Sequence, residues 1–156
     1  DGFAYAGEAL CGRYYGAGNS RALSLTLHRL FRWMLVVTTA FTLVYITWGM
    51  DIVRMLTDSP EVVATAREYI GWVWLIPAAG CTAFIWDGVF VGLTATRGML
   101  VASAVAALLF FGVYALTWRI IGNHGLWLAQ VVYLAARGVV QTVYYLKAKP
   151  PYNGCP

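Results

Sequence analysis

Charge is scarce in this sequence. Asp, Glu, Lys and Arg make up 12% of its 156 residues, about half the share of an ordinary soluble domain, whereas 60% of the residues are hydrophobic. This composition excludes a soluble globular domain and indicates an integral membrane chain. The net charge of +4 does not indicate nucleic acid as a partner, because the basic residues lie at the ends of predicted helices, where membrane topology places them.

Metal-binding and reactive side chains are also few. Cys11, Cys81 and Cys155 have neither disulfide nor metal-ligand spacing, and His28 and His124 are isolated at helix ends or in loops. No nucleophile–base constellation and no phosphate-binding glycine loop occur. We therefore expect no enzyme, no cofactor and no metal site built from these residues.

Four apolar runs are long enough to cross the roughly 30 Å hydrocarbon core of a bilayer as helices. The predicted crossings lie at about 33–50, 69–93, 99–118 and 126–146. Residues 1–18 predict the end of a helix whose beginning is absent, so we expect a fragment, and residues 148–156 predict a polar, Pro-rich C-terminal tail. The predicted fold class is all-α, a polytopic transmembrane helix bundle of about four and a half helices.

Asp87 is the one charge in the crossing at 69–93. A carboxylate at this depth costs a few kcal/mol, so it usually faces protein or a water-filled cavity and often marks an ion pathway. Small residues share its helix face, and we expect the bulky residues opposite, Trp74, Ile85 and Val89, to contact lipid. The alternative role is purely structural, an acid that pairs with a neighbouring helix.

The last crossing carries a polar stripe centred on Arg137. Gln130, Tyr133, Gln141 and Tyr144 lie seven and four residues before it and four and seven after it, on one helix face. Such a stripe is expected to face the protein interior.

The positive-inside rule predicts a cytoplasmic C-terminus. If the loop at 13–32 is cytoplasmic, seven Lys and Arg residues lie on that side and three on the other. The two sets are Arg13, Arg21, Arg29, Arg32, Arg97, Lys147 and Lys149, against Arg54, Arg67 and Arg119. Asp87 is ten residues from Arg97, and Arg137 is ten residues from Lys147, so both lie about 15 Å from the cytoplasmic edge. An Asp87–Arg137 pair is geometrically possible, and a different partner for each is an equal alternative.

Glu8 is a second candidate carboxylate. It lies one and a half helical turns before Arg13, so it could line a cavity or could reach the interface and pair there.

Four segments in order carry a family resemblance: GEALCGRYYGAGN, MLTDSPEVVATAREYI, FIWDGVFVGLTATR and GLWLAQVVYLAARG. Together they resemble the multidrug and toxic compound extrusion (MATE) transporters, and most of all the bacterial DinF-like branch. The resemblance covers about residues 1–147. It implies twelve helices in two six-helix lobes, of which residues 1–147 would form part of the C-terminal lobe.

The resemblance also implies an activity. MATE transporters are antiporters that export organic, often cationic, compounds across the cell membrane in exchange for Na⁺ or H⁺. In several members an acid in the fourth helix of the second lobe takes part in cation coupling, and Asp87 falls at that position. The implied partners are the missing N-terminal lobe, membrane lipid and small organic substrates, and any metal would be Na⁺ at Asp87.

Two other functions fit the residues. A flippase for lipid-linked sugars or polysaccharides would share the architecture, but it would be expected to line its cavity with several basic residues. In a non-transporting membrane subunit, Asp87 and Arg137 would only hold helices together.

Overall fold

A computed structural model of the chain describes residues 2–148, which form five α-helices and no strand. The helices are α1 (Gly2–Gly16), α2 (Ser20–Leu56), α3 (Pro60–Gly92), α4 (Thr96–Ile121) and α5 (Asn123–Ala148). The predicted all-α transmembrane bundle is confirmed. Of the predicted polar tail, residues 149–156 lie outside the described part of the chain.

The helices α2 to α5 are each long and apolar enough to cross a membrane. The longest is α2, whose 37 residues span roughly 55 Å at about 1.5 Å per residue, well beyond the bilayer core. Its basic first turns and the crossing predicted at 33–50 therefore belong to one continuous helix. This helix begins at Asn19, whose side chain caps it by accepting a hydrogen bond from the Ala22 N–H at 3.0 Å.

Short turns make successive helices antiparallel, so the bundle has two distinct ends. The basic end holds the α1–α2 turn, the α3–α4 turn and the last turn of α5, with Arg13, Arg21, Arg97 and Lys147. The acidic end holds the α2–α3 and α4–α5 turns, with Asp51, Asp58, Glu61 and Glu68.

The central helix is α3, which contacts α1, α2, α4 and α5. Ile85 and Val89 are fully buried in the core formed with α1 and α2, and the Trp74 indole N–H donates to the Tyr45 carbonyl of α2 at 3.1 Å. The prediction of lipid contact is therefore wrong for Ile85 and Val89, whereas Trp74 is half-buried beside α2. The reason is that α1 and α2 cover the face of α3 that lies opposite Asp87.

Glycines allow α1 and α3 to cross at backbone contact. A Cβ atom on Gly88 would collide with the backbone of Ala4, and one on Gly92 would lie 2.5 Å from the Glu8 carbonyl oxygen. Small residues four apart permit this close packing in membranes, where no hydrophobic force between helices assists association. The contact is not among the sequence predictions, although the Gly88-x-x-x-Gly92 spacing is typical of close helix packing.

Candidate functional site

Asp87 lies where α3 meets α5, and two side chains of α5 bind its carboxylate. Arg137 Nη2 lies 2.9 Å from Oδ1 and 2.9 Å from Oδ2, and Gln141 Nε2 donates to Oδ1 at 2.7 Å. Arg137 and Gln141 are four residues apart, so they share one face of α5. The ion pair that the sequence left open is formed, and we call these three residues the charged cluster.

The charged cluster is largely buried, and its hydrogen bonding is incomplete. The side chains of Asp87 and Arg137 are each 19% exposed, and Gln141 is fully buried. Burial reduces screening, so the ion pair is stronger here than on a solvated surface. Arg137 Nε and Gln141 Oε1 have no hydrogen-bond partner among the described residues. The charges balance, while one donor and one acceptor remain free to bind a further polar group.

One side of the charged cluster is open within the described part of the chain. Phe84 and Val91, which lie about one turn before and after Asp87 on α3, are 36% and 40% exposed. This face of α3 is therefore left partly uncovered by the other described helices.

On the other side of the charged cluster, α5 packs directly against α3, and a groove lies next to this contact. The Trp86 indole N–H donates to the Thr142 hydroxyl at 2.8 Å. A Cβ on Gly138 would lie 3.0 Å from Thr82 Cβ and 3.2 Å from the Ala83 nitrogen, so α5 lies directly on α3. A groove of about 310 Å³, lined by small and β-branched side chains, runs along this side.

The polar stripe of α5 divides along its length. Arg137 and Gln141 face α3 in the charged cluster, as the interior prediction requires. Tyr133 packs against Phe110 of α4, with ring centroids 6.3 Å apart, and Tyr144 packs against Phe90 of α3 at 5.9 Å. Gln130 is exposed among the described residues, so its interior position stays a prediction. The helix α5 contacts both α3 and α4 along its length, and Gln130 lies on a side that neither helix covers.

Glu8 is not brought to the charged cluster. Its side chain is exposed on α1, and it forms no ion pair with any residue from 2 to 148. Its backbone carbonyl, rather than its carboxylate, makes the close contact with Gly92.

A second polar cluster joins α3 and α5 at the acidic end. The Trp72 indole N–H donates to His124 Nδ1 at 3.0 Å, and His124 Nε2 lies 3.5 Å from Glu68 Oε1. The Tyr69 ring lies 4.8 Å from the imidazole, centroid to centroid, and stacks on Trp127. Sequence reasoning treated His124 as isolated, because its partners lie more than 50 residues away in the chain.

Comparison with known proteins places the chain among transporters. The family model described as MatE matches residues 2–116. The chain is 37% identical over 139 residues to DNA damage-inducible protein F of Escherichia coli (strain K12), covering 89% of the chain and 30% of that protein. It is 35% identical over 72 residues to Protein DETOXIFICATION 33 of Arabidopsis thaliana, covering 45% of the chain and 14% of that protein. No solved structure matches the chain significantly.

The family match runs from α1 into α4, so it includes Asp87 and stops before Arg137 and Gln141. The chain spans less than a third of the length of the E. coli relative. The match to well over half of the chain confirms the resemblance seen in the sequence. The chain is a multi-pass membrane protein and belongs to the MatE family of multidrug and toxic compound extrusion transporters.

Proposed function

We propose that this chain is the C-terminal part of a secondary-active antiporter that exports organic, often cationic, compounds in exchange for Na⁺ or H⁺. Asp87 is the coupling carboxylate in this proposal. The observation that carries it is a titratable acid inside a membrane-spanning helix, with one open side and incomplete hydrogen bonding around it. The name of the Arabidopsis relative, DETOXIFICATION 33, is in keeping with export of harmful compounds.

The proposed setting is the cytoplasmic membrane, with the basic end and the C-terminus in the cytoplasm. The concentration of Lys and Arg at the basic end supports this orientation. Because the chain spans 30% of the E. coli relative, the N-terminal lobe is proposed as its partner within a longer protein. Alternating access needs two bundles that rock around a central site, and the described helices supply part of one.

The proposed mechanism is a competition for the Asp87 carboxylate. In the described state both carboxylate oxygens lie within hydrogen-bonding distance of Arg137 Nη2. A Na⁺ ion or a proton that neutralises Asp87 removes the attraction for the guanidinium, so ion binding weakens the link between α3 and α5. Gln141 Oε1, which is buried and unpartnered, is available as a neutral oxygen ligand for Na⁺.

No separate observation favours either alternative function, the flippase or the non-transporting membrane subunit. A flippase would be expected to line its cavity with several basic residues. The basic residue beside Asp87 is Arg137, and its charge is balanced by Asp87 itself. A purely structural ion pair fits the same distances as the coupling site, so an experiment must separate those two roles.

The experiment measures drug efflux and membrane abundance for Asp87→Asn, Arg137→Gln and the double variant in the full-length protein. Because the ion pair is formed, Asp87→Asn orphans a buried Arg in either role and should lower abundance, at a cost of about 3–5 kcal/mol, and the double variant should partly restore it. If Asp87 couples the ion, the double variant has no ion-driven efflux at its restored abundance. If the pair is only structural, efflux returns together with abundance.

The matched control is Asp51→Asn. Asp51 pairs with Arg54 at 3.3 Å, but both side chains are more than half exposed, so this variant should keep both efflux and abundance. Full efflux in a normally abundant Asp87→Asn protein would refute the coupling role.

A further inference from the structure

The contact at the acidic end fixes which nitrogen of His124 carries a proton. An indole N–H can only donate, so His124 Nδ1, at 3.0 Å from Trp72 Nε1, must accept and is unprotonated. The proton of the neutral imidazole is then on Nε2, which faces Glu68 Oε1 at 3.5 Å. His124 thus links two residues of α3 to the first turn of α5.

A second proton is incompatible with this arrangement. Both nitrogens of an imidazolium are donors, so protonated Nδ1 would point its N–H at the N–H of Trp72. The hydrogen bond to Trp72 must break, and the ring must move away from the indole. The Glu68 carboxylate stays within reach of Nε2 and stabilises the added charge.

Within the described residues, the charged and titratable groups in contact with the imidazole lie on α3. On α3 the titratable groups that face it are Glu68 and Tyr69. On α4 the nearest charge along the chain, Arg119, lies over the Trp118 ring at 5.3 Å from its centroid. The His124 side chain is 38% exposed, so protons from the solution at the acidic end can reach it.

We propose that His124 is a proton-binding site that controls the contact between the first turn of α5 and the segment of α3 from Glu68 to Trp72. Neutral His124 accepts the hydrogen bond from Trp72 and so links Trp72 to α5. Protonated His124 loses this hydrogen bond and keeps its contact with Glu68. Trp72 lies about 22 Å along α3 from Asp87, at 1.5 Å per residue. The site is therefore separate from the charged cluster, although it joins the same two helices.

The test follows the indole N–H resonances of ¹⁵N-Trp-labelled full-length protein in lipid nanodiscs from pH 8 to 5, the range in which histidine titrates. The chain has seven tryptophans, so Trp72→Phe assigns the relevant signal. The Trp72 resonance should move upfield as its acceptor is lost. The Trp86 resonance should stay fixed, because its acceptor is a threonine hydroxyl that does not titrate.

Two histidine variants provide the control. In His124→Gln the amide oxygen can accept from Trp72 at every pH, so the titration should disappear. His28 Nδ1 lies 2.8 Å from the Ser24 carbonyl, to which it donates in both charge states, so His28→Gln should leave the Trp72 titration unchanged. A Trp72 resonance that stays fixed, or that titrates equally in His124→Gln, overturns the proposal. Loss of the titration in His28→Gln also overturns it.

Discussion

Replacing Gly88 by alanine should destabilise the bundle more than its single added methyl group suggests. The new Cβ would collide with the carbonyl oxygen, carbonyl carbon and Cα of Ala4, all of them backbone atoms of α1. A side chain could rotate away, but a helix backbone must move as a body. Overpacking a core typically costs about 1–3 kcal/mol of folding free energy. Because the clash is with backbone atoms, we expect Gly88→Ala to destabilise by an amount at or above the upper end of that range.

Gly112→Ala is the matched control, since Gly112 lies inside α4 and, apart from its chain neighbours and the backbone of its own helix, the added Cβ would have no atom within 4 Å. Alanine is favoured over glycine in a helix interior by about 1 kcal/mol, so this variant should be neutral or slightly stabilised. Both glycines lie inside helices, so the gain in helix propensity cancels, and the two variants should differ by the overpacking cost of about 3 kcal/mol or more.

The assay is reversible denaturation of the full-length protein in detergent, followed together with drug efflux in cells. Gly88→Ala should unfold at lower denaturant than the parent protein, and Gly112→Ala at the same or higher denaturant. Efflux should also fall in Gly88→Ala, because Asp87 is the adjacent residue and moves with the α3 backbone. Equal stability of the two variants would refute the close crossing of α1 and α3.

Three further predictions test other contacts. Thr94 has φ 56, a left-handed conformation that disfavours branched side chains, so Thr94→Gly should raise the free energy of unfolding by up to about 1 kcal/mol in the same denaturation assay. Trp86→Phe and Thr142→Val should each destabilise by about 1 kcal/mol, and a double-mutant cycle should give a coupling of about 0.5–1.5 kcal/mol, whereas additive effects would contradict their hydrogen bond. In a cysteine-free background, a cysteine at Asn123 should react with an impermeant thiol reagent in intact cells and one at Ala17 only after lysis, and the reverse pattern would contradict the proposed orientation.

The charged cluster could be predicted in part because charge and periodicity are local properties of the sequence. A lone acid in an apolar run must find a partner, and the positive-inside rule placed Asp87 and Arg137 at one depth. The four-residue spacing then put Gln141 on the same face as Arg137. The sequence could not show that Arg137, rather than another group, turns towards Asp87, because rotation of α5 depends on contacts with both α3 and α4.

The surroundings of α3 could not be predicted in the same way. A helical wheel gives the angle between Ile85 and Asp87, but it does not say how many helices surround α3. The pairing of Trp72 with His124 depends on the distance between two parallel helices that are joined through α4, and no local pattern encodes that distance.

Stability alone gives a weak account of the pair between Asp87 and Arg137. Removing two charges from water costs several kcal/mol per ion, and apolar side chains of similar volume often stabilise a core as well or better. The unsatisfied Arg137 Nε and Gln141 Oε1 make the pair less favourable still as a structural device. A site that exchanges a guanidinium for an external cation needs these same properties, namely a carboxylate, a removable positive charge and spare hydrogen-bonding atoms. The energetics of the cluster are therefore compatible with the proposed coupling role, which the Asp87 and Arg137 variants test.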